Sequence, residues 1–272
     1  MDIFKELAEI NQNTPILIAG QTASGKSRLA FQLAEKRGGT IINADAIQVF
    51  KNWRILTARP SAADETSIKH KLYGHVDGRT DYSVGTWIKQ VKNILSDTSK
   101  PIIVGGTGLY FSALSEGLVD IPEIPRVIRL EANSRISENG LESLAKEIDK
   151  ETARNIDLNN PRRVQRAWEV LMSTGRGLNS WHNEKPKPVL NFKQCKAILV
   201  DGEVSSINAR ITKRFDQMME QGLIQEGESN LENWNESFPS SKAIGARELI
   251  AHLRNKITVD ELKEQILIAT RQ

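Results

Sequence analysis

The sequence predicts an α/β fold, a parallel sheet core flanked by helices, with an all-helical subdomain inserted into it. Three observations carry this reading. Short apolar runs at Ile16-Leu17-Ile18-Ala19, Thr40-Ile41-Ile42-Asn43, Ile102-Ile103-Val104 and Lys196-Ala197-Ile198-Leu199-Val200-Asp201 read as strands separated by helical stretches. A glycine-rich turn, Gly20-Gln21-Thr22-Ala23-Ser24-Gly25-Lys26-Ser27, leaves the first strand for a helix. Between the proline joints at Val119–Pro125 and at Pro186 and Pro188, charge rises and strand character disappears. The expected division is a first core part over 1–120, an inserted helical subdomain over 121–188, and a return to the core over 189–272.

Composition narrows the class. The chain has 272 residues, 39% hydrophobic and 26% charged, enough for a sizeable core without covalent staples. A net charge of +3 neither demands nor excludes a nucleic-acid partner, so local clustering must decide. Cys195 is the single cysteine, which excludes a disulfide within the chain and fits a reducing compartment. The acidic, broken start Met1-Asp2-Ile3-Phe4-Lys5-Glu6 does not read as a signal peptide, and no apolar run approaches the ~20 residues of a membrane span. A cytoplasmic protein with no membrane contact, acting as a monomer, is the expectation.

Taken in order, Phe4, Leu7 and Ile10 predict a short packing helix over 3–10. The turn Gly20–Ser27 follows a strand and opens a helix marked by Leu29, Ala30, Leu33 and Ala34. In that context backbone amides converge on one point, the helix N-terminus adds partial positive charge, Lys26 offers an ammonium, and the Ser27 hydroxyl is placed for Mg²⁺. The core is thus of the P-loop NTPase kind. Gly38-Gly39 stops the helix. Asp45 stands just past the second strand, where ligands of open α/β sheets bind; it reads as a cleft carboxylate, with a helix N-cap as the alternative.

Thr57-Ala58-Arg59-Pro60 marks a turn, and residues 61–86 read as polar and irregular. His70 and His75 there fit structural or positioning roles better than metal ligation. Trp87, Ile88, Val91, Ile94 and Leu95 predict a core-facing helix. Gly105-Gly106-Thr107-Gly108 ends the strand at 102–104 in a second glycine-rich turn, which brings backbone and the Thr107 hydroxyl to the cleft or serves packing alone.

Beyond the first proline joint, residues 126–171 read as helices. Arg162 and Arg166 share a helical face with Arg163 beside them, and like charges so spaced call for an anion; charge alone leaves this open between nucleic acid and a solvated face. After the returning strand, Ile207, Ile211, Phe215 and Met218 predict the buried side of a helix over 205–219. Arg210 and Arg214 lie on an adjacent face, as anion ligands or as a surface pair. A helix over 242–253 and a last one opened by the capping box Thr258-Val259-Asp260-Glu261 complete the chain. The last helix runs straight into Thr270-Arg271-Gln272, which implies a truncated C-terminus.

From the residues alone, the first reading is a group transferase with a phosphorylated donor and Asp45 as the acceptor's base. Ile102-Ile103-Val104 ends in glycines, not in the Mg²⁺-holding aspartate of ATPases and GTPases. A small-molecule kinase is the neighbouring possibility.

The chain resembles the tRNA dimethylallyltransferase, or tRNA isopentenyltransferase, family. The resemblance rests on Gly20–Ser27, Asp45-Ala46-Ile47-Gln48-Val49-Phe50, Thr57-Ala58-Arg59-Pro60, Val104-Gly105-Gly106-Thr107-Gly108-Leu109-Tyr110, Asn160-Pro161-Arg162-Arg163 with Arg166, Ile244-Gly245-Ala246-Arg247-Glu248 and Thr270-Arg271-Gln272, in the family's order over almost the whole chain. It departs from the family at Ala46, Phe50 and Ala246, where Ser, Tyr and Tyr are usual, and members continue past Thr-Arg-Gln into a basic, aromatic segment.

The resemblance implies transfer of a dimethylallyl group from dimethylallyl diphosphate to N6 of the adenosine 3′ to the anticodon in tRNA, releasing pyrophosphate. Gly20, Gln21, Thr22, Ala23, Ser24, Gly25, Lys26 and Ser27, with Arg210 and Arg214, would hold the diphosphate and Ser27 the Mg²⁺. Asp45 would be the base, with Thr107 at the target nucleotide. Asp45, Ala46, Ile47, Gln48, Thr107, Arg129, Arg162, Arg163, Val164, Gln165 and Arg166 would meet the tRNA anticodon stem-loop. An adenylate isopentenyltransferase acting on a free nucleotide is the related alternative.

Overall fold

The computed structural model describes residues 10–271 apart from 12 and 185, so most of the helix expected over 3–10 lies outside the described residues. The chain divides into two compact units. One runs to Ser115 and resumes at Val189; the other is Glu116–Pro188.

The first unit is built on a parallel sheet of five strands in the order β3-β2-β4-β1-β5. These are β1 (Ile16–Gly20), β2 (Thr40–Asn43), β3 (His70–Lys71), β4 (Pro101–Gly105) and β5 (Lys196–Val200). Both faces are covered, as a parallel sheet requires. Ile16, Ile18, Ile41, Ile102 and Val104 pack with Ala30, Leu33 and Ala34 of α1 (Lys26–Arg37). Leu17, Ile42 and Ile103, which alternate with them along the strands, are equally buried. Two further helices accompany β4: α3 (Val84–Ser96), which buries Trp87, Ile88 and Val91, and α4 (Gly108–Ser115).

The stretch 61–86 is not irregular throughout. It holds α2 (Ala62–Ser67) and the edge strand β3. Ser61 and Asp64 form a reciprocal capping box, enough to start one helical turn that buries none of its residues. β3 is two residues long and gains its regularity only from pairing with Ile41 and Ile42. His70 bonds the Ile68 carbonyl and His75 the Gln90 side chain.

The second unit is helical: α5 (Arg126–Asn139), α6 (Glu142–Ala145), α7 (Lys150–Asn155), α8 (Pro161–Thr174) and α9 (Leu178–His182). Its core joins Ile124, Ala132, Leu144, Ile148, Val164, Ala167, Trp168 and Leu178. The Trp168 indole N–H donates to Glu147, whose carboxylate also binds Arg135.

After β5 the first unit continues as α10 (Val204–Glu220), α11 (Leu223–Leu231), α12 (Ala246–Leu253) and α13 (Val259–Arg271). The helix expected over 242–253 starts at Ala246, after a 3₁₀ turn over Pro239–Lys242, and α11 was not foreseen. These helices share a second core with Trp53 and Leu56, in which Phe215, Met218, Leu223, Leu249 and Ile266 are buried. The expected capping box is present: Thr258 and Glu261 exchange side-chain and backbone bonds. Among the described residues no helix is long and apolar enough to cross a membrane.

Candidate active site

β1 lies between β4 and β5, and β4 separates it from β2. The carboxyl ends of β1, β2 and β4 therefore open on one edge of the sheet, the usual ligand position in such folds. Gly20–Ser27, Asp45 and Thr107 all stand there.

The phosphate-loop turn is set by close approach and left-handed backbone. A Cβ on Gly20 would lie 2.5 Å from the Val200 carbonyl oxygen of β5, so a side chain there would part the two strands. Gly25, the N-cap of α1, has φ 98°. Ser24 is buried, and its hydroxyl makes no hydrogen bond. The Lys26 ammonium donates to the Gln21 carbonyl at 3.1 Å. Burial pushes the Lys26 pKa down; Asp45 partly restores it, and Arg214 lowers it further.

Asp45 is held from every side. Its amide donates to Asn43 Oδ1 at 2.9 Å, and its carbonyl accepts from Asn43 Nδ2 at 2.9 Å. Asn43 is itself fully buried, and its carbonyl receives the Trp87 indole N–H at 2.7 Å. Thr107 Oγ1 accepts the Ala46 N–H at 3.0 Å. Asp45 Oδ1 accepts the amides of Ile47 at 2.9 Å and Gln48 at 3.3 Å, so the N-cap-like role is real for one oxygen. Oδ2 makes no such bond, and Asp45 lines a cavity.

That cavity, of about 130 Å³, is the feature the sequence did not disclose. Its lining joins polar residues, Thr22, Lys26, Asp45, Gln48 and Arg214, of which Lys26, Asp45 and Arg214 feel one another's charge, to apolar ones, Leu56, Ile211, Phe215, Met218, Ile244 and Ile266, of which Leu56, Phe215, Met218 and Ile266 pack in one cluster. Ile47, Thr57 and Thr270 complete the lining. Ile211, Phe215 and Met218 read as a simple core stripe in the sequence. Their position against α13 and the turn at 54–58 makes them the wall of a pocket. Leu56 and Ile266 carried no sequence signal for this role beyond their apolar character; Thr57, Ile244 and Thr270 stand in motifs of the family resemblance, which assigned them no place in a pocket.

Arg214 stands within electrostatic reach of Lys26 and Asp45. Burial pushes its pKa down and Asp45 pulls it up, and among the described residues no ion pair or hydrogen bond holds its guanidinium. Two desolvated cations thus face one carboxylate, and an anion is the group that would balance them. Arg210 lies elsewhere on α10, exposed, with Nη1 bonding the Ser24 carbonyl at 3.4 Å. Gln48 Nε2 donates to the carbonyls of Thr57 at 2.8 Å and Ala58 at 3.2 Å, leaving its oxygen as the available acceptor.

For a metal, Ser27 is exposed in the first turn of α1. Among the described residues no three His, Cys, Asp or Glu side chains cluster as ligands. The residues fit a cation carried mainly by ligand oxygens, which is how Mg²⁺ commonly sits with phosphates.

In the helical unit, Asn160 caps α8 by accepting the amides of Arg162 and Arg163, and Pro161 fills the first turn. Arg162 and Arg163 are exposed at a helix N-terminus, where cations oppose the helix dipole. Arg166 is half-buried; burial lowers its pKa, Glu169 raises it and Arg129 of α5 lowers it, so Arg129 and Arg166 stand near each other. Val164 is fully buried, and its side chain supports α8 from inside. Gln165 is engaged with Asn133 and Glu169.

Comparison with known proteins shows the family. The IPP transferase family model matches residues 48–272, and an isopentenyl transferase model matches residues 14–76. A tRNA dimethylallyltransferase of Cereibacter sphaeroides is 50% identical over 267 residues, covering 98% of this chain and 85% of that one. One from Ruegeria sp. is 47% identical, covering 98% and 91%. Among solved structures, a eukaryotic dimethylallyltransferase acting on tRNA is 29% identical with a TM-score of 0.79, covering 95% of this chain and 67% of that one. The tRNA isopentenylpyrophosphate transferase of Bacillus halodurans is 27% identical with a TM-score of 0.63, covering 95% and 83%. With a sheet that opens a phosphate loop and a carboxylate onto one half-apolar cavity, and with relatives of this identity along nearly all its length, the chain belongs to the IPP transferase family.

Proposed function

We propose that this protein transfers a dimethylallyl group from dimethylallyl diphosphate to N6 of the adenosine 3′ to the anticodon in tRNA. The observation that carries this is a cavity lined both by Lys26 and Arg214, which share the field of Asp45, and by Leu56, Phe215, Met218 and Ile266, which pack in one apolar cluster. A prenyl diphosphate has the same division of charge and hydrocarbon. A nucleoside triphosphate donor would set a polar sugar and base beside the phosphates, so the apolar wall disfavours a kinase.

The diphosphate rests on the amides of Gly20–Ser27 and is balanced by Lys26 and Arg214. Arg210 steadies the loop from outside through Ser24. A Mg²⁺ ion held through Ser27 and the diphosphate would neutralise part of the leaving group's charge. The prenyl tail lies against the apolar wall. N6 of the flipped adenine attacks the allylic carbon, the carbon–oxygen bond to the diphosphate breaks, and pyrophosphate leaves. The proton from N6 passes to Asp45 Oδ2, while Oδ1 stays on the Ile47 and Gln48 amides. Thr107 positions Asp45 through the Ala46 amide, and the Gln48 oxygen is suited to accept from the adenine amino group.

The helical unit supplies the tRNA grip through Arg129, Arg162, Arg163 and Arg166, by contacts to phosphate and to the shape of the stem-loop. That arginine face disfavours a free nucleotide as acceptor. The test is incubation with radiolabelled dimethylallyl diphosphate, Mg²⁺ and either unmodified tRNA or AMP. Label in tRNA is expected. Label in AMP alone, or in neither with ATP turnover instead, overturns the reading.

A further inference from the structure

The turn between Trp53 and Arg59 lies outside any helix and closes on two nested backbone bonds. Ala58 N–H donates to Ile55 O and Arg59 N–H to Arg54 O, both at 2.9 Å. The opening amides of such a turn have no partner within it and need an acceptor from elsewhere. One carboxylate serves all three. Glu226 of α11 accepts the amides of Arg54 at 2.6 Å and Ile55 at 2.8 Å on Oε1, and that of Leu56 at 2.9 Å on Oε2. It does so across 170 residues of sequence.

Other bonds tie down its ends, Thr57 to the Trp53 carbonyl and Arg59 to the Phe50 and Lys51 carbonyls, but none of them meets the amides of Arg54, Ile55 and Leu56. Ala58 sits in left-handed backbone with φ 48°, which costs a residue with a Cβ about 1–2 kcal/mol. Yet the turn has two tasks. Leu56 and Thr57 line the cavity, and the Thr57 and Ala58 carbonyls hold the Gln48 amide. Leu56 has no slack at its far end: a Cβ on Gly245 would lie 3.1 Å from Leu56 Cδ1 and 2.9 Å from Ile266 Cδ1.

We propose that Glu226 is a positioning residue for the donor pocket, setting through three amide bonds where Leu56 and Thr57 stand and how closely the apolar wall meets the prenyl group. This rests on a prenyl diphosphate being the donor. Glu226 touches neither substrate nor the reacting atoms.

Glu226→Gln tests it. The variant keeps one oxygen for Arg54 and Ile55 and turns an amide donor toward the Leu56 N–H, leaving that amide unsatisfied. With tRNA as acceptor, the KM for dimethylallyl diphosphate should rise about 5- to 20-fold while kcat falls less than about threefold. Hydrogen exchange in the peptide spanning 53–59 should quicken with the rest of the chain unchanged, a readout that does not depend on the donor's identity. Leu56→Ala, which leaves the carboxylate in place, should show the same KM-dominated loss and stands in should Glu226→Gln fail to fold. An unchanged donor KM in either variant overturns the proposal. So does a lower kcat at unchanged KM with a lower melting temperature, the mark of a merely structural residue. Unaltered exchange over 53–59 overturns it even if no prenyl transfer is found, whereas absence of transfer by the unsubstituted protein counts against the donor reading alone.

Discussion

Thr107 Oγ1 accepts the backbone N–H of Ala46 at 3.0 Å, tying the glycine-rich turn after β4 to the residue that follows Asp45. With Asn43 bonding Asp45's amide and carbonyl, the backbone on both sides of the carboxylate is fixed. The carboxylate then divides its oxygens: Oδ1 accepts the Ile47 and Gln48 amides, and Oδ2 accepts neither.

Asp45→Asn can keep Oδ1 on the Ile47 and Gln48 amides while removing the proposed base. Transfer should fall by ~10²–10⁴ in kcat, the usual contribution of a positioned base. Donor affinity should hold or rise, since a negative charge near Lys26 is lost. Single-turnover rates beside donor titration check this. A collapse of donor binding would mean that Asp45 organises the donor and is not the base.

Arg214 is a desolvated cation with no ion pair among the described residues. Arg214→Met removes the unbalanced charge and keeps a comparable apolar stem. The melting temperature should stay level or increase while the donor KM rises by about tenfold or more, as expected for loss of a charge-assisted phosphate contact. A lower melting temperature with unchanged KM would place Arg214 in the architecture alone.

Lys26 gives the alkaline limit. Its pKa is lowered by burial first and by Arg214 next, with Asp45 opposing. It therefore loses its charge below the ordinary lysine range, and kcat/KM for the donor should decline as pH rises through that value. Ligand-free stability moves the other way. Between the lowered pKa and the ordinary one the unfolded chain holds the proton more tightly, so stability increases with pH there. Lys26→Arg should move the alkaline limb beyond the measurable range. A limb unchanged in that variant belongs to another group.

Ile244 lines the cavity yet is 50% exposed, so its side chain tests binding with little cost to folding. Ile244→Ser should raise the donor KM about fivefold, equivalent to roughly 1 kcal/mol of lost apolar contact. The melting temperature should not move. Equal KM values would exclude Ile244 from the prenyl wall.

Arg162, Arg163 and Arg166 changed together to Gln should weaken tRNA binding and flatten its dependence on salt, because fewer counterions are released per complex. The donor KM should be unaffected. Binding measured at several salt concentrations decides it, and an unchanged slope would remove these arginines from the interface.

Much of the sheet was legible because its signals are local. Ile16–Gly20, Thr40–Asn43 and Pro101–Gly105 are apolar runs closed by glycines or by Asp45, and the turn chemistry of Gly20–Ser27 is nearly unmistakable. β3 and α2 escaped because a two-residue strand and a helix with no buried face carry no period to read. α11 escaped although Leu223 and Gly227 are buried in it, for two buried positions in a short segment make a weak stripe.

The sequence by itself determined the groups available: a glycine-rich turn between strand and helix, a carboxylate past the second strand, and arginines at a capped helix. Each follows from residue types a few positions apart, where backbone geometry leaves little choice. Only the tertiary structure decided the cavity and its support. Leu56, Phe215, Ile244 and Ile266 meet, and Glu226 reaches the Arg54–Leu56 amides, across intervals of sequence that no periodicity spans. An apolar side chain carries the same local signal whether it faces a core or a ligand, and packing between distant helices is what separates the two.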